Sequence, residues 1–178
     1  MAKSFQTSII YLAGGCFWGL QRYLERVPGV VSTTVGYAQG EGHERPAGGA
    51  ECVRVEYDPD ALPLEVLLEL LYWVIDPTAQ DHQGNDRGPA YRTGIYWETG
   101  AGGAEAAQTV TSSLTALQER YDHPVMVEAA PLANFEPADD WHQDYLQKNP
   151  SGYCHIPLAK IAQASDKAER LRRDMRDF

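Results

Sequence analysis

Apolar and polar positions along this chain follow two rhythms, and each change of rhythm marks an element. Ser8 to Ala13 (Ser-Ile-Ile-Tyr-Leu-Ala) is a short continuous apolar run, the pattern of a fully buried strand. After Gly14-Gly15 the spacing changes. Phe17, Leu20 and Leu24 recur at i, i+3 and i+7, which predicts a helix that Val27-Pro28-Gly29 ends. Val30 to Val35 is rich in β-branched residues and predicts a second strand, followed by a glycine-rich loop from Gly36 to Gly49. Glu51 to Tyr57 alternates, so Glu51, Val53, Val55 and Tyr57 share one face while Cys52, Arg54 and Glu56 share the other. Glu51 is thus a carboxyl on an apolar face.

Pro63 through Ile75 predicts a helix with a stripe of Leu64, Leu67, Leu68, Leu71 and Ile75, closed by Asp76-Pro77. A loop punctuated by glycine and proline runs from Thr78 to Ala90. Thr93 to Trp97 reads as a strand, Ala104 to Arg120 as a helix, Val125 to Ala129 as a strand, and Ala138 to Lys148 resumes helical spacing. Strands and helices interleave throughout. The expected fold is α+β, a two-layer sandwich in which a mixed β-sheet is covered by helices (a ferredoxin-like core), with a loop-rich C-terminal tail from Asn149 onward. Residues 1–178 are expected to form one domain. The charged run Glu169 to Arg176 reads as a solvated helix face.

Composition narrows the function classes. Hydrophobic residues make up 43% of the chain and charged residues 22%, enough apolar content to build a core. The net charge of −10 repels phosphate backbones and anionic lipid surfaces, so neither nucleic acid nor membrane is expected as a partner. The apolar stretch Ile9 to Leu12 is too short for a signal sequence or a membrane span, and a cytoplasmic location is expected.

Three cysteines, Cys16, Cys52 and Cys154, are an odd number at wide spacings, which fits neither a disulfide scaffold nor paired zinc ligands. Each is either a small buried hydrophobe or a reactive thiol. Cys16 stands after a strand and two glycines at the start of a helix, where backbone N–H groups and the positive helix end favour the thiolate, and Gly14 and Gly15 leave room for a substrate. Position alone leaves both readings open. Phe17 and Trp18 cannot both face the core from adjacent helical positions, so one is expected to be partly exposed beside the thiol, as a wall suited to a small apolar group such as a thioether methyl. Glu51, desolvated on its apolar face, is expected to hold a raised pKa and to be able to donate a proton near neutral pH.

The hexapeptide Gly14-Gly15-Cys16-Phe17-Trp18-Gly19 resembles the signature of the type A methionine sulfoxide reductase family. The resemblance continues through Gly36-Tyr37-Ala38, Ala50-Glu51, Val55-Glu56-Tyr57-Asp58-Pro59, Asp76-Pro77-Thr78, Gln83-Gly84-Asn85-Asp86, Tyr91-Arg92, Trp141-His142-Gln143 and Gly152-Tyr153-Cys154, in the family's order. It implies Cys16 as the nucleophile on the sulfoxide sulfur, Glu51 as the acid that protonates its oxygen, and Tyr37 and Tyr91 as hydrogen-bond donors to that oxygen. Phe17 and Trp18 would form the methyl pocket and Asp86 the polar side of the site, although turn chemistry alone reads Asp86 as a loop-capping residue. The substrate implied is methionine S-sulfoxide, free or in oxidised proteins. The product on the enzyme would be a sulfenic acid at Cys16, condensed by Cys154 to a disulfide that thioredoxin reduces. No cofactor and no metal are implied, and a monomer is expected. Cys52, opposite Glu51 on its strand, reads as structural.

Two features depart from the family pattern. Gly49 stands where a histidine is usual two residues before the glutamate, with the loop from Gln39 to Gly49 shortened, and Ala90 stands where glutamine is common. Competing readings are a cysteine hydrolase pairing Cys16 with His142 or His155, a thiol peroxidase using Cys16 and Cys154, and an acidic metal-binding or scaffold protein built on Asp81, His82 and Asp86. No local motif marks any histidine as a base, peroxide needs no methyl pocket, and the acidic trio lacks ligand spacing.

Overall fold

The computed structural model describes residues 6–177. Its strands are β1 (Ser8–Gly14), β2 (Val30–Gly40), β3 (Ala50–Tyr57), the short pair β4 (His82–Gln83) and β5 (Asp86–Arg87), β6 (Thr93–Trp97) and β7 (Glu128–Pro137). Its helices are α1 (Phe17–Leu24), α2 (Leu64–Val74), α3 (Gly103–Gln118), α4 (Tyr145–Lys148), α5 (Leu158–Ala162) and α6 (Ala164–Arg176). The mixed α/β character agrees with the sequence reading, but the sheet is not one layer of a sandwich. It closes into a five-stranded barrel in the order β1-β3-β2-β7-β6, antiparallel except for the parallel pair β6 and β7.

Closure follows from the side chains that face inward. Tyr11, Ala13, Ala38, Ala50, Cys52, Tyr96 and Ala130 form a cluster of their own inside the barrel. Five strands leave a narrow lumen, so most of these residues are small and Tyr96 fills the axis. A Cβ at Gly40 would stand 2.7 Å from the Tyr96 ring, which is why the strand there carries glycine. The outward face of the same strands, with Ile10, Leu12, Val35, Val53, Val55 and Ile95, packs under α1 and α2 through Phe17, Leu20, Leu67 and Leu71. Two apolar faces, one lined with alanine and one with branched residues, make a barrel look like a weakly patterned sheet in sequence.

The same chemistry explains the boundary errors. β2 runs five residues past Val35, because Gly36, Tyr37 and Ala38 pair with Cys52, Glu51 and Ala50 rather than forming a loop. β7 extends to Pro137 where the sequence predicts an end at Ala129. The predicted helix over 138–148 breaks into a 3₁₀ turn at Asp140–His142 and the short α4. The Gln143 amide is spent on both backbone groups of Val35, at 2.9 Å each, and Asp144, at φ 54, donates its N–H to Gln21 at 2.9 Å. Tertiary hydrogen bonds replace helical ones at the break.

The tail is a loop only as far as Pro157. Beyond it α5 and α6 are helical, and Ala164 and Ala168 of α6 are buried against the core beside α2. Lys160 and Lys167 lie over the Trp73 ring at 5.0 and 5.3 Å, covering it with their stems, while the far face of α6 is solvated as the sequence predicts. Among the described residues no helix is long and apolar enough to cross a membrane.

Candidate active site

The chain leaves β1 at Gly14, turns at Gly15 with φ 86, and presents Cys16 as the N-cap of α1. The N–H groups of Trp18 and Gly19 are directed at its sulfur, the polarity the sequence predicts for a helix start. The surroundings of the sulfur oppose that polarity. Cys16 is only 6% exposed, and burial, aided by the carboxyls of Glu51 and Asp86, pushes the thiol up to about 12 despite the two N–H groups. Nor do Gly14 and Gly15 clear space for a substrate. A Cβ on Gly14 would meet Ile75, Leu20 and Leu71 at 3.0–3.2 Å, and one on Gly15 would stand 2.7 Å from Gln83 and 3.1 Å from the ring of His155. Both glycines make room for the protein's own side chains.

Glu51 is buried under α1, on the outward face with Val53 and Val55, as its alternation predicts. Its Oε1 accepts the N–H of Phe17 at 3.3 Å, so the carboxyl reaches the residue next to Cys16. Burial raises its pKa to about 7, with Asp86 adding to the shift and the N–H of Phe17 and the hydroxyl of Tyr91 opposing it. Tyr37 pairs with Glu51 across β2 and β3, and its ring packs on Phe17 with centroids 5.6 Å apart. Burial beside Glu51 raises the Tyr37 and Tyr91 hydroxyls above their ordinary range, so both keep a proton to donate.

The β4–β5 hairpin carries an Asp86 carboxylate oxygen to within 4.8 Å of the sulfur. It is fixed by buried Gln83, whose amide accepts from Asp76 N at 2.9 Å and donates to Asp76 O at 2.7 Å. Tyr91 ends the 3₁₀ turn Pro89–Tyr91, and the next residue anchors it. The Arg92 guanidinium, 2% exposed, donates to Pro89 O at 2.7 Å and to Glu128 at 2.9 Å.

Phe17 is 2% exposed and Trp18 half-buried, the division that adjacent helical positions predict. Trp18 stacks on Tyr145 at 3.8 Å, and its indole N–H donates to His142 Nδ1 at 3.0 Å. His142 in turn stacks at 3.6 Å on Trp141, which is 58% exposed. An aromatic wall therefore stands beside the thiol.

The segment Tyr153-Cys154-His155 lies across the start of α1. Tyr153 donates to Asp86 Oδ2 at 3.0 Å, and Cys154 donates to Ile156 O at 3.2 Å. The Cys154 sulfur sits 2.8 Å from where a Gly19 Cβ would be, which explains the glycine that closes the hexapeptide. The structure thus gathers Cys16, Phe17, Trp18, Tyr37, Glu51, Asp86, Tyr91 and Cys154 at one place. It leaves Cys52 apart, fully buried in the barrel, with its thiol raised by burial alone. No disulfide is formed; all three thiols are free.

Sequence reasoning missed the place of His155 in this site, having offered it only beside His142 as a base for a cysteine hydrolase. A ring nitrogen of His155, the Cys16 sulfur and an Asp86 carboxylate oxygen lie within 4.8 Å of one another. Among the described residues this trio is the grouping whose atoms could share a cation, and binding one would tie up the Cys16 thiol. It also missed Tyr145, whose stack on Trp18 depends on the broken helix.

A buried cysteine facing a proton-bearing carboxyl, with a second cysteine laid against the same helix turn, is the layout of a thiol-dependent oxidoreductase. Comparison with known proteins narrows the class. The model of the peptide methionine sulfoxide reductase family matches residues 8–173. The peptide methionine sulfoxide reductase MsrA of Lachnoclostridium phytofermentans is 46% identical over 155 residues, 83% of this chain and 91% of its own. Among solved structures, Mxr1 from Saccharomyces cerevisiae in reduced form superposes with a TM-score of 0.75 at 26% identity, covering 88% of this chain and 94% of its own. Methionine sulfoxide reductase A of Corynebacterium diphtheriae gives 0.70 at 31% identity, with coverages of 88% and 85%. The chain belongs to the peptide methionine sulfoxide reductase family, in its MsrA type, and is an oxidoreductase that reduces methionine sulfoxide.

Proposed function

We propose that the enzyme reduces methionine S-sulfoxide, free or in proteins, through a Cys16 sulfenic acid and a Cys16–Cys154 disulfide that thioredoxin reduces. The observation that carries this reading is the placement of a carboxyl with a pKa of about 7 against the N–H that follows Cys16. A sulfoxide is a poor electrophile until its oxygen takes a proton. Glu51, protonated below pH 7, gives that proton while the Tyr37 and Tyr91 hydroxyls donate to the same oxygen. The Cys16 sulfur then bonds to the substrate sulfur, the thiol proton returns to the Glu51 carboxylate, and the hydroxyl passes to Cys16 as methionine leaves. The raised thiol pKa fits this order, because the nucleophile needs to ionise only when an activated sulfoxide is bound.

Phe17 and Trp18, backed by Tyr145, would hold the methyl group, and Asp86 the polar side. Cys154, lying against Gly19, is near enough to α1 to take up the sulfenic acid. The yeast relative Mxr1 has been solved in complex with Trx2, which supports a thioredoxin as the reductant here. A monomer working in the reducing milieu of the cytoplasm suits three free thiols.

The test is intact-mass measurement after one equivalent of methionine S-sulfoxide. Loss of two hydrogens with one methionine released, mapped to Cys16–Cys154, is the expected result. Cys16→Ser should release no methionine. Turnover in that variant would sink the reading, and a disulfide through Cys52 would move the resolving role.

A further inference from the structure

His155 has one ring nitrogen accounted for and one unexplained. Its Nε2 lies 3.1 Å from Gly14 O, and since a carbonyl only accepts, Nε2 carries the proton. Nδ1 therefore holds the free lone pair, and it is buried with no hydrogen-bond partner among the described residues. A buried orphan of this kind loses hydration with nothing in return, which calls for a chemical use. What surrounds it is reactive. Nδ1 lies 3.6 Å from the position of a Gly19 Cβ, the same point that the Cys154 sulfur approaches at 2.8 Å, and the Cys16 sulfur is within 4.8 Å of the ring.

We propose that His155 is the proton shuttle of the step that forms the Cys16–Cys154 disulfide. The inference rests on the sulfenic acid pathway described above. The Cys154 S–H bond breaks as Nδ1 takes its proton, and the Cys154 sulfur bonds to the Cys16 sulfur. The S–O bond of the sulfenic acid breaks, and the imidazolium returns the proton to the departing hydroxide, which leaves as water. The Cys154 sulfur is oxidised, the Cys16 sulfur is reduced, and no outside reagent enters.

The step needs such a group at both ends. Burial holds the Cys154 thiol above its ordinary range, so it attacks slowly without a base, and hydroxide departs poorly without an acid. Burial also keeps the His155 ring neutral, ready to accept, although the Asp86 carboxylate opposite favours the cation once it forms. The titratable groups facing the ring are Asp86 on β5, Cys16 at the start of α1, and Cys154 beside it; Tyr153 is engaged with Asp86. Glu51 serves the earlier step from its place on the Phe17 N–H.

The test is a single turnover of methionine S-sulfoxide by His155→Gln, with methionine release and disulfide formation timed separately. Disulfide formation should slow about 100-fold more than methionine release, with a Cys16 sulfenic acid accumulating in a form that dimedone traps. The pH dependence of the disulfide step in the parent should be lost. Added imidazole should restore the step in His155→Gly, where the cavity can admit it. Equal slowing of both steps, or no rescue, would reduce His155 to an anchor for the segment and overturn the proposal. A parent enzyme that releases methionine without accumulating or resolving a sulfenic acid would overturn the pathway beneath it instead.

Discussion

Glu51 and Glu128 are both carboxyls taken almost wholly out of water, one on the outer face of the barrel and one at its lumen, and their company separates them. Glu128 meets Arg92 at 2.9 Å, the Tyr96 hydroxyl at 2.7 Å, His43 at 3.3 Å and Arg45 at 3.7 Å. Glu51 meets one N–H and a tyrosine, and no cation among the described residues. Burial with countercharge makes an ion pair that holds strands together. Burial without it lifts a carboxyl into the range where it exchanges protons at neutral pH. The difference lies in which face of the barrel holds the guanidinium.

Replacing Glu51 breaks that contrast most severely. Glu51→Gln keeps the shape and removes the proton, so kcat/KM for methionine S-sulfoxide should fall by about 10² to 10⁴. The parent's rate should decline as pH rises through about 7, and the variant's profile should lose that inflection. Stability should move the other way. A carboxyl whose pKa is raised on folding favours the native state below its unfolded value and loses that advantage as pH climbs to about 7. The glutamine variant should match the parent near pH 4 and exceed it at pH 8, by on the order of 3 kcal/mol in urea unfolding. Unchanged stability at pH 8 would mean that Glu51 is not held against its charge.

Glu128→Gln should give the opposite phenotype. It leaves Arg92, 2% exposed, without its countercharge, an arrangement that costs about 3–5 kcal/mol. The midpoint in urea should drop accordingly at pH 7, while the pH dependence of the rate keeps its inflection near 7. If that inflection moved, the lumen network would be acting on the site through Tyr91.

Much of this contrast was legible in the chain. Alternation from Glu51 to Tyr57 put the carboxyl on an apolar face, and the hexapeptide marked a cysteine at a helix start. Barrel closure was not legible, because the inward positions are Ala13, Ala38, Ala50, Cys52 and Ala130, too small to read as a core face until Tyr96 and the glycines beside it are seen together. The raised thiol of Cys16 was not legible because helix-end polarity is local, whereas the burial and the carboxyls that outweigh it come from β3 and β5, far along the sequence. The place of His155 was hidden for the same reason: the sequence offered it beside His142 as a base for a hydrolase, and only the fold brings it to Gly14 and Cys16.

Gly19 links the face of Glu51 to the segment of Cys154. In an ordinary helix Gly→Ala adds up to about 1 kcal/mol of stability. Here the new Cβ would stand 2.8 Å from the Cys154 sulfur, so the segment must shift. Gly19→Ala should slow disulfide formation about tenfold in single turnover and change methionine release much less. A variant that is simply more stable and cycles normally would show that Cys154 does not work from this position.

The smallest effect should come from the thiol on the lumen side. Cys52 sits in the barrel cluster where burial alone raises it, whereas Cys16 has two N–H groups, two carboxyls and an imidazole around it. Cys52→Ala deletes one atom from the packing and should cost about 1 kcal/mol in urea unfolding. Thioredoxin-driven turnover should stay within a factor of two of the parent. A large loss of cycling with the first methionine still released would show that the lumen opens during the reaction, and the two faces of the barrel would no longer be chemically separate.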